Sequence, residues 1–91
     1  MIRSFKHSGL EKFFKTGSKA GIQPAHAAKL RRQLTFLNIA KRPNDMAQAG
    51  WGLHPLQGKG DRWSVWVNGN WRLTFQFLDT DVEIVDYEDY H

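Results

Sequence analysis

Residues 62–68, "RWSVWVN", alternate strictly: Trp63, Val65 and Val67 fall on one face, Ser64, Trp66 and Asn68 on the other. Gly69–Asn70 is a tight-turn pair, so Asn68 to Trp71 reads as a hairpin turn. "WRLTFQF" then sets Trp71, Leu73, Phe75 and Phe77 against Arg72, Thr74 and Gln76. "DTD" turns the chain again, into "VEIVDYEDYH". Upstream the period is helical. "SGLEKFFKTG" predicts a short helix that Ser8 caps, with Glu11 three residues on, Gly17 as its stop, and Leu10, Phe13 and Phe14 inward. Pro24 suits the first turn of a second helix running to about Ala40. Its inward stripe is Ala27, Leu30, Leu34 and Leu37, with Arg31 and Arg32 off it. "MIRSFKH" reads as a short strand, and "WGLHPL" as one that Pro55 confines to an edge or interrupts. The order predicts an α+β domain spanning residues 1–91: two N-terminal helices packed on a small, mainly antiparallel sheet.

Composition agrees with a folded globule. The 91 residues are 41% apolar and include four tryptophans, two tyrosines and six phenylalanines. With no cysteine there is neither a disulfide nor a thiolate metal site. No apolar run reaches the roughly 18–20 residues of a membrane span. The first ten residues lack the apolar stretch of a signal peptide, so the chain is expected in the cytoplasm, away from membranes.

Charge changes the picture more by placement than by its sum of +4. Ten of the thirteen basic residues lie in residues 1–42, with Glu11 the one acid there, whereas residues 79–91 hold six acids and no Lys or Arg. A basic surface for a polyanion and ordinary solvated helix faces account equally well for that cluster, which includes Lys12, Lys19, Arg31 and Arg32.

Four features carry possible chemistry. His54 precedes a proline and the loop Gly58, Lys59, Gly60, Asp61 and Arg62, where glycines and cations suit a phosphate without forming a true phosphate-binding motif. Arg72 lies on the polar side of a central strand. There it can pair with a carboxylate across the sheet or hold a phosphate bidentately. Trp66 is the tryptophan least accounted for by the core; closing the second face or meeting a partner suits it better than stacking a base. Finally, "YEDYH" gathers Asp89, Tyr90 and His91. In an extended strand Asp89 and His91 project to one side and Tyr90 to the other. Cleavage of RNA without a metal needs a base, an acid and a cation for the extra phosphate charge. These residues contain all three kinds of group. With no HExxH, no paired cysteines and no dense carboxylate cluster, neither a metal site nor a cofactor is expected.

The quoted stretches resemble the HigB-type toxins of bacterial toxin–antitoxin pairs, within the RelE/ParE superfamily. "MIRSFKHSGLEKFF", "LHPLQG", "VNGNWRLTFQF" and "YEDYH" follow that family's pattern and order, so the likeness covers essentially the whole chain. The resemblance implies a RelE-like fold and an endoribonuclease that cuts mRNA in the ribosomal A site. In its reaction the 2′-OH attacks the adjacent phosphate, leaving a 2′,3′-cyclic phosphate and a 5′-OH. It assigns catalytic roles to His54, Arg72, Asp89, Tyr90 and His91, with proton transfer by His91 or His54 and orientation by Tyr90 and Asp89. Lys59, Arg62, Lys12, Lys19, Arg31 and Arg32 would meet RNA or the ribosome. It further implies a helix-turn-helix, HigA-like antitoxin, through whose complex DNA is met only indirectly. Some relatives carry a lysine where this chain has Gln57, which puts rate or codon preference in question. The competing expectations are a ParE-like gyrase inhibitor, an inactive toxin that still binds antitoxin, and a plain RNA-binding module.

Overall fold

The computed structural model describes residues 1–58 and 60–90. Its elements in chain order are α1 (Ser8–Thr16), a 3-10 turn at Pro24–His26, α2 (Ala27–Ile39), a second 3-10 turn at Pro43–Met46, then β1 (His54–Pro55), β2 (Arg62–Asn68), β3 (Trp71–Leu78) and β4 (Asp81–Asp89). The four strands form one antiparallel sheet in the order β1-β2-β3-β4. The α+β arrangement expected from the periodicity is the one found.

Local chemistry explains the boundaries. Gly17 ends α1 in the left-handed conformation at φ 81°, where its N–H reaches the Phe13 carbonyl. The cap at the other end is not Ser8 but His7, whose Nδ1 accepts from the Leu10 N–H at 2.9 Å. An imidazole acceptor replaces the hydroxyl that the capping pattern suggested. Pro24 opens a 3-10 turn, and the regular helix begins only at Ala27. The expected first strand is reduced to two isolated bridges, Ile2 to Val82 and Phe5 to Val85. β1 is two residues long, as an edge strand containing Pro55 should be.

One sheet face carries the helices. Leu10, Phe13, Leu30, Leu34 and Leu37 meet Val65, Val67, Leu73, Phe75, Val82 and Val85 in a single core. Two glycines set how closely α1 meets the connection before α2: a Cβ on Gly21 would lie 2.5 Å from the Gly9 Cα. Behind them Tyr87 stacks on Trp71 at 4.4 Å, and its hydroxyl is 2.6 Å from the buried His26 Nδ1.

β4 contains a bulge. Between the pairs Thr74–Asp86 and Gln76–Glu83, β4 has one residue more than β3. Ile84 there has φ 54°, a left-handed conformation rare for a β-branched residue. Its N–H donates to Ser4 Oγ at 2.9 Å, and its carbonyl accepts from Arg62 Nη1 at 3.2 Å. Both backbone groups of the extra residue are therefore satisfied by side chains. Beyond the bulge Val85 and Tyr87 face the core, so Asp86, Glu88 and Tyr90 share the opposite face.

Candidate active site

The helix-free face is built in rows across the strands. His54, Ser64, Thr74 and Asp86 are successive register partners on β1 to β4, and Trp66, Arg72 and Glu88 form the next row. Register partners project to the same face of a sheet. This places His54, Arg62, Arg72 and Tyr90 together on one surface, though they are far apart in the chain. Lys6, Leu56, Arg62, Ile84, Asp86, Glu88 and Tyr90 line a cleft of about 230 Å³ on it.

Arg62 is held from two sides. Nη1 reaches the Ile84 carbonyl, and Nη2 donates to Thr74 Oγ1 at 2.9 Å. The same hydroxyl donates to Glu88 Oε2 at 2.9 Å. A guanidinium, a buried hydroxyl and a carboxylate thus form a chain across β2, β3 and β4. Arg72 is placed differently. Its Nη1 donates to the carbonyls of Gly69 and Trp71 at 3.3 and 3.2 Å, rather than to Glu88, its neighbour on β4. Neutral carbonyls orient the guanidinium without cancelling its charge, which suits a phosphate.

His54 is exposed, with Nδ1 3.3 Å from the Gly52 carbonyl and 3.4 Å from Ser64 Oγ. A carbonyl only accepts, so its bond needs the proton on Nδ1, and that tautomer leaves a lone pair on Nε2. In the other tautomer Nδ1 accepts from the Ser64 hydroxyl.

Tyr90 is tied to the hairpin by its N–H, which donates to the Asn70 carbonyl at 2.7 Å. Burial raises the pKa of its phenol above the usual value, and the Glu88 carboxylate adds to the effect, while Arg62 and Arg72 oppose it. The phenol thus holds its proton more tightly than a free tyrosine does and is available to donate. Asp89 is the register partner of Trp71 and lies on the Tyr87 side of β4, opposite to Tyr90. It contributes, after burial, to the raised pKa of Tyr87.

The other residues singled out in the sequence lie elsewhere. Lys12, Arg31 and Arg32 belong to the helices, and exposed Lys19 to the connection between them. Arg31 sits 5.5 Å over the Phe13 ring and Arg32 5.5 Å over Phe36. A hollow of about 300 Å³ in this layer is lined by Phe13, Phe14, Gly17, Arg31, Leu34 and Thr35, with no acid–base pair in it. Lys59 and His91 lie outside the described residues. Among the described residues, no three His, Asp or Glu side chains come together as a set that could hold a metal ion, and no helix is long and apolar enough to cross a membrane.

Sequence reasoning missed Thr74, Asp86 and Glu88. Thr74 was on the polar side of its strand beside Arg72, and the signal for Asp86 and Glu88 was the parity of "VDYED", which joins them to that face only once the bulge at Ile84 is known. It also missed Lys6, which the Phe5–Val85 bridge carries to β4, where its N–H donates to the Val85 carbonyl.

Comparison with known proteins bears on the family of the chain. The family described as "RelE-like toxin of type II toxin-antitoxin system HigB" matches residues 3–91. The "Endoribonuclease HigB" of Proteus vulgaris is 40% identical over 94 aligned positions, which cover all of both chains. A family match over nearly the whole chain and a full-length relative lead to one conclusion: this chain belongs to the HigB-like toxins, the RelE-like toxins of type II toxin–antitoxin systems.

Proposed function

We propose that this toxin is a ribosome-dependent, metal-independent endoribonuclease that cleaves mRNA in the ribosomal A site and so stops translation. The observation that carries the reading is the convergence of His54, Arg72 and Tyr90 on the one sheet face the helices leave open. The name of the Proteus vulgaris relative supports the activity.

In this reading a histidine, His54 or His91, removes the proton from the 2′-OH. The 2′-oxygen forms a bond to phosphorus as the bond from phosphorus to the 5′-oxygen breaks. The other histidine returns a proton to the departing 5′-oxygen. The products are a 2′,3′-cyclic phosphate and a 5′-OH. Arg72 lies ready to neutralise the charge gathering on the phosphate. Tyr90, kept protonated, donates a hydrogen bond that fixes the substrate, and Asp89 helps to orient it. Arg62 and Lys6 add positive charge along the cleft, and Lys59, Lys12, Lys19, Arg31 and Arg32 supply contacts to ribosomal RNA. So sparse a site benefits from a ribosome that holds the mRNA in the geometry for in-line attack. The partner that silences the toxin is a HigA-like antitoxin with a helix-turn-helix, and DNA is reached only through their complex.

Mapping cleavage of an inducible reporter mRNA by primer extension, with translation active and with it blocked, tests the proposal. Cuts within codons that vanish when translation is blocked are expected. Growth arrest with intact mRNA would overturn it and move the protein to gyrase inhibition.

A further inference from the structure

Trp51 is buried, and Trp63 and Trp71 pack against the core; Trp66 is 36% exposed and joins neither group. It is nevertheless anchored through backbone and side chain alike. Its N–H donates to the Trp51 carbonyl at 2.6 Å, and its own carbonyl accepts from Gln33 Nε2 of α2 at 2.9 Å. The indole Nε1–H donates to the Gly69 carbonyl at 2.9 Å. That carbonyl also accepts from Arg72 Nη1. One turn oxygen therefore fixes both the indole and the guanidinium of its register partner. β1 pairs only with Trp63 and Ser64, so its ladder stops short of Trp66, whose backbone meets the Trp51 carbonyl instead. From the helix layer Lys29 reaches over the ring, its Nζ 4.0 Å from the centroid. Burial lowers the Lys29 pKa, as expected of an ammonium drawn off the solvent and onto an aromatic face.

A fixed, half-open indole between two cations has an electrostatic preference. Glu88 is the nearest acid in its row, and its carboxylate is engaged by the Thr74 hydroxyl. A flat π-face flanked by a lysine and an arginine is the arrangement by which single-stranded nucleic acid is held, with the base on the ring and phosphates on the cations. We propose that Trp66 is a stacking platform for a nucleobase next to the phosphate held by Arg72, with Lys29 contacting the neighbouring backbone. This rests on the endoribonuclease reading and deepens it: Trp66 positions the substrate and contributes to nucleotide preference, without taking part in proton transfer.

The test uses ribosomes loaded with an mRNA whose A-site codon is 2′-O-methylated, which blocks attack, and carries 2-aminopurine at one position at a time. Stacking on an indole quenches that base. Wild-type toxin is expected to quench one position strongly. Trp66→Leu should lose the quench and about tenfold or more in affinity, whereas Trp66→Phe should retain most of the affinity. Lys29→Gln should weaken binding and flatten its salt dependence. Thermal melts of all variants should match wild type, since the ring is outside the core. Unchanged affinity and quenching in Trp66→Leu, or no quenching by wild type at any position, would overturn the proposal. So would normal mRNA cleavage by Trp66→Leu coupled with loss of antitoxin binding, which would assign the indole to a protein interface. Primer extension on wild type keeps the two readings apart: cleavage that Trp66→Leu leaves unaltered in rate and site sinks only the platform, while absence of cleavage by wild type sinks the nuclease itself.

Discussion

Arg62 and Glu88 are joined through one hydroxyl: Thr74 Oγ1 accepts from the first and donates to the second, each at 2.9 Å. Thr74 is fully buried, so water has no access to replace either bond. Thr74→Val keeps the shape and removes both. It is expected to lower stability by about 1–3 kcal/mol, measured by urea denaturation, and to depress mRNA cleavage. Wild-type stability in this variant would show that the chain of bonds holds nothing in place.

Removal of either histidine proposed for proton transfer should separate activity from folding. His54 is exposed and makes only long contacts, to Gly52 and Ser64. His54→Gln should leave the melting temperature within a degree or so and reduce cleavage by about 10²–10⁴-fold, the usual size of a general acid–base contribution. Deletion of His91 should abolish growth arrest with similarly little effect on folding.

Alkaline pH should expose the two tyrosines. The pKa values of Tyr87 and Tyr90 are both raised from 10.0 in the folded protein, by burial first. The unfolded chain then gives up these protons at lower pH than the native state does. Their stabilising contribution is complete below about pH 10 and is lost as pH climbs through the raised values. Denaturation midpoints measured from pH 8 upward should fall beyond pH 10, and fall less steeply for Tyr90→Phe. An identical slope in that variant would contradict the shift at Tyr90.

Close backbone approach should matter more than conformational freedom at two glycines. A Cβ on Gly21 would meet the Gly9 backbone, and one on Gly9 would sit 2.8 Å from Gly21 Cα. Neither neighbour is a side chain that can swing away. Gly21→Ala should destabilise by about 1–3 kcal/mol or more, read by thermal melting. No loss would mean that the α1 entry can slide relative to the Gly21 segment.

Much of this architecture was legible in the chain. The strict alternation of residues 63–67 and 71–77 fixed the hairpin and its buried side, and Leu10, Leu30, Leu34 and Leu37 marked the helices correctly. What stayed hidden was non-local. The His7 cap depends on an imidazole acting where a hydroxyl is usual. The Arg62 bonds depend on a carbonyl 22 residues away. Lys29 reaches Trp66 only because α2 packs over the edge of β2. Periodicity ranks faces within an element; it does not say which side chains of different elements meet.

The extra residue in β4 has a consequence for how the toxin can be disarmed. Ile84 interrupts an alternation that would otherwise run Val82, Val85, Tyr87 inward and Glu83, Asp86, Glu88 outward. A chain lacking Ile84 would keep every one of those directions and should still fold. It would also lose the carbonyl that steadies Arg62. A single-codon deletion is thus a route to a shape-preserving, impaired toxin.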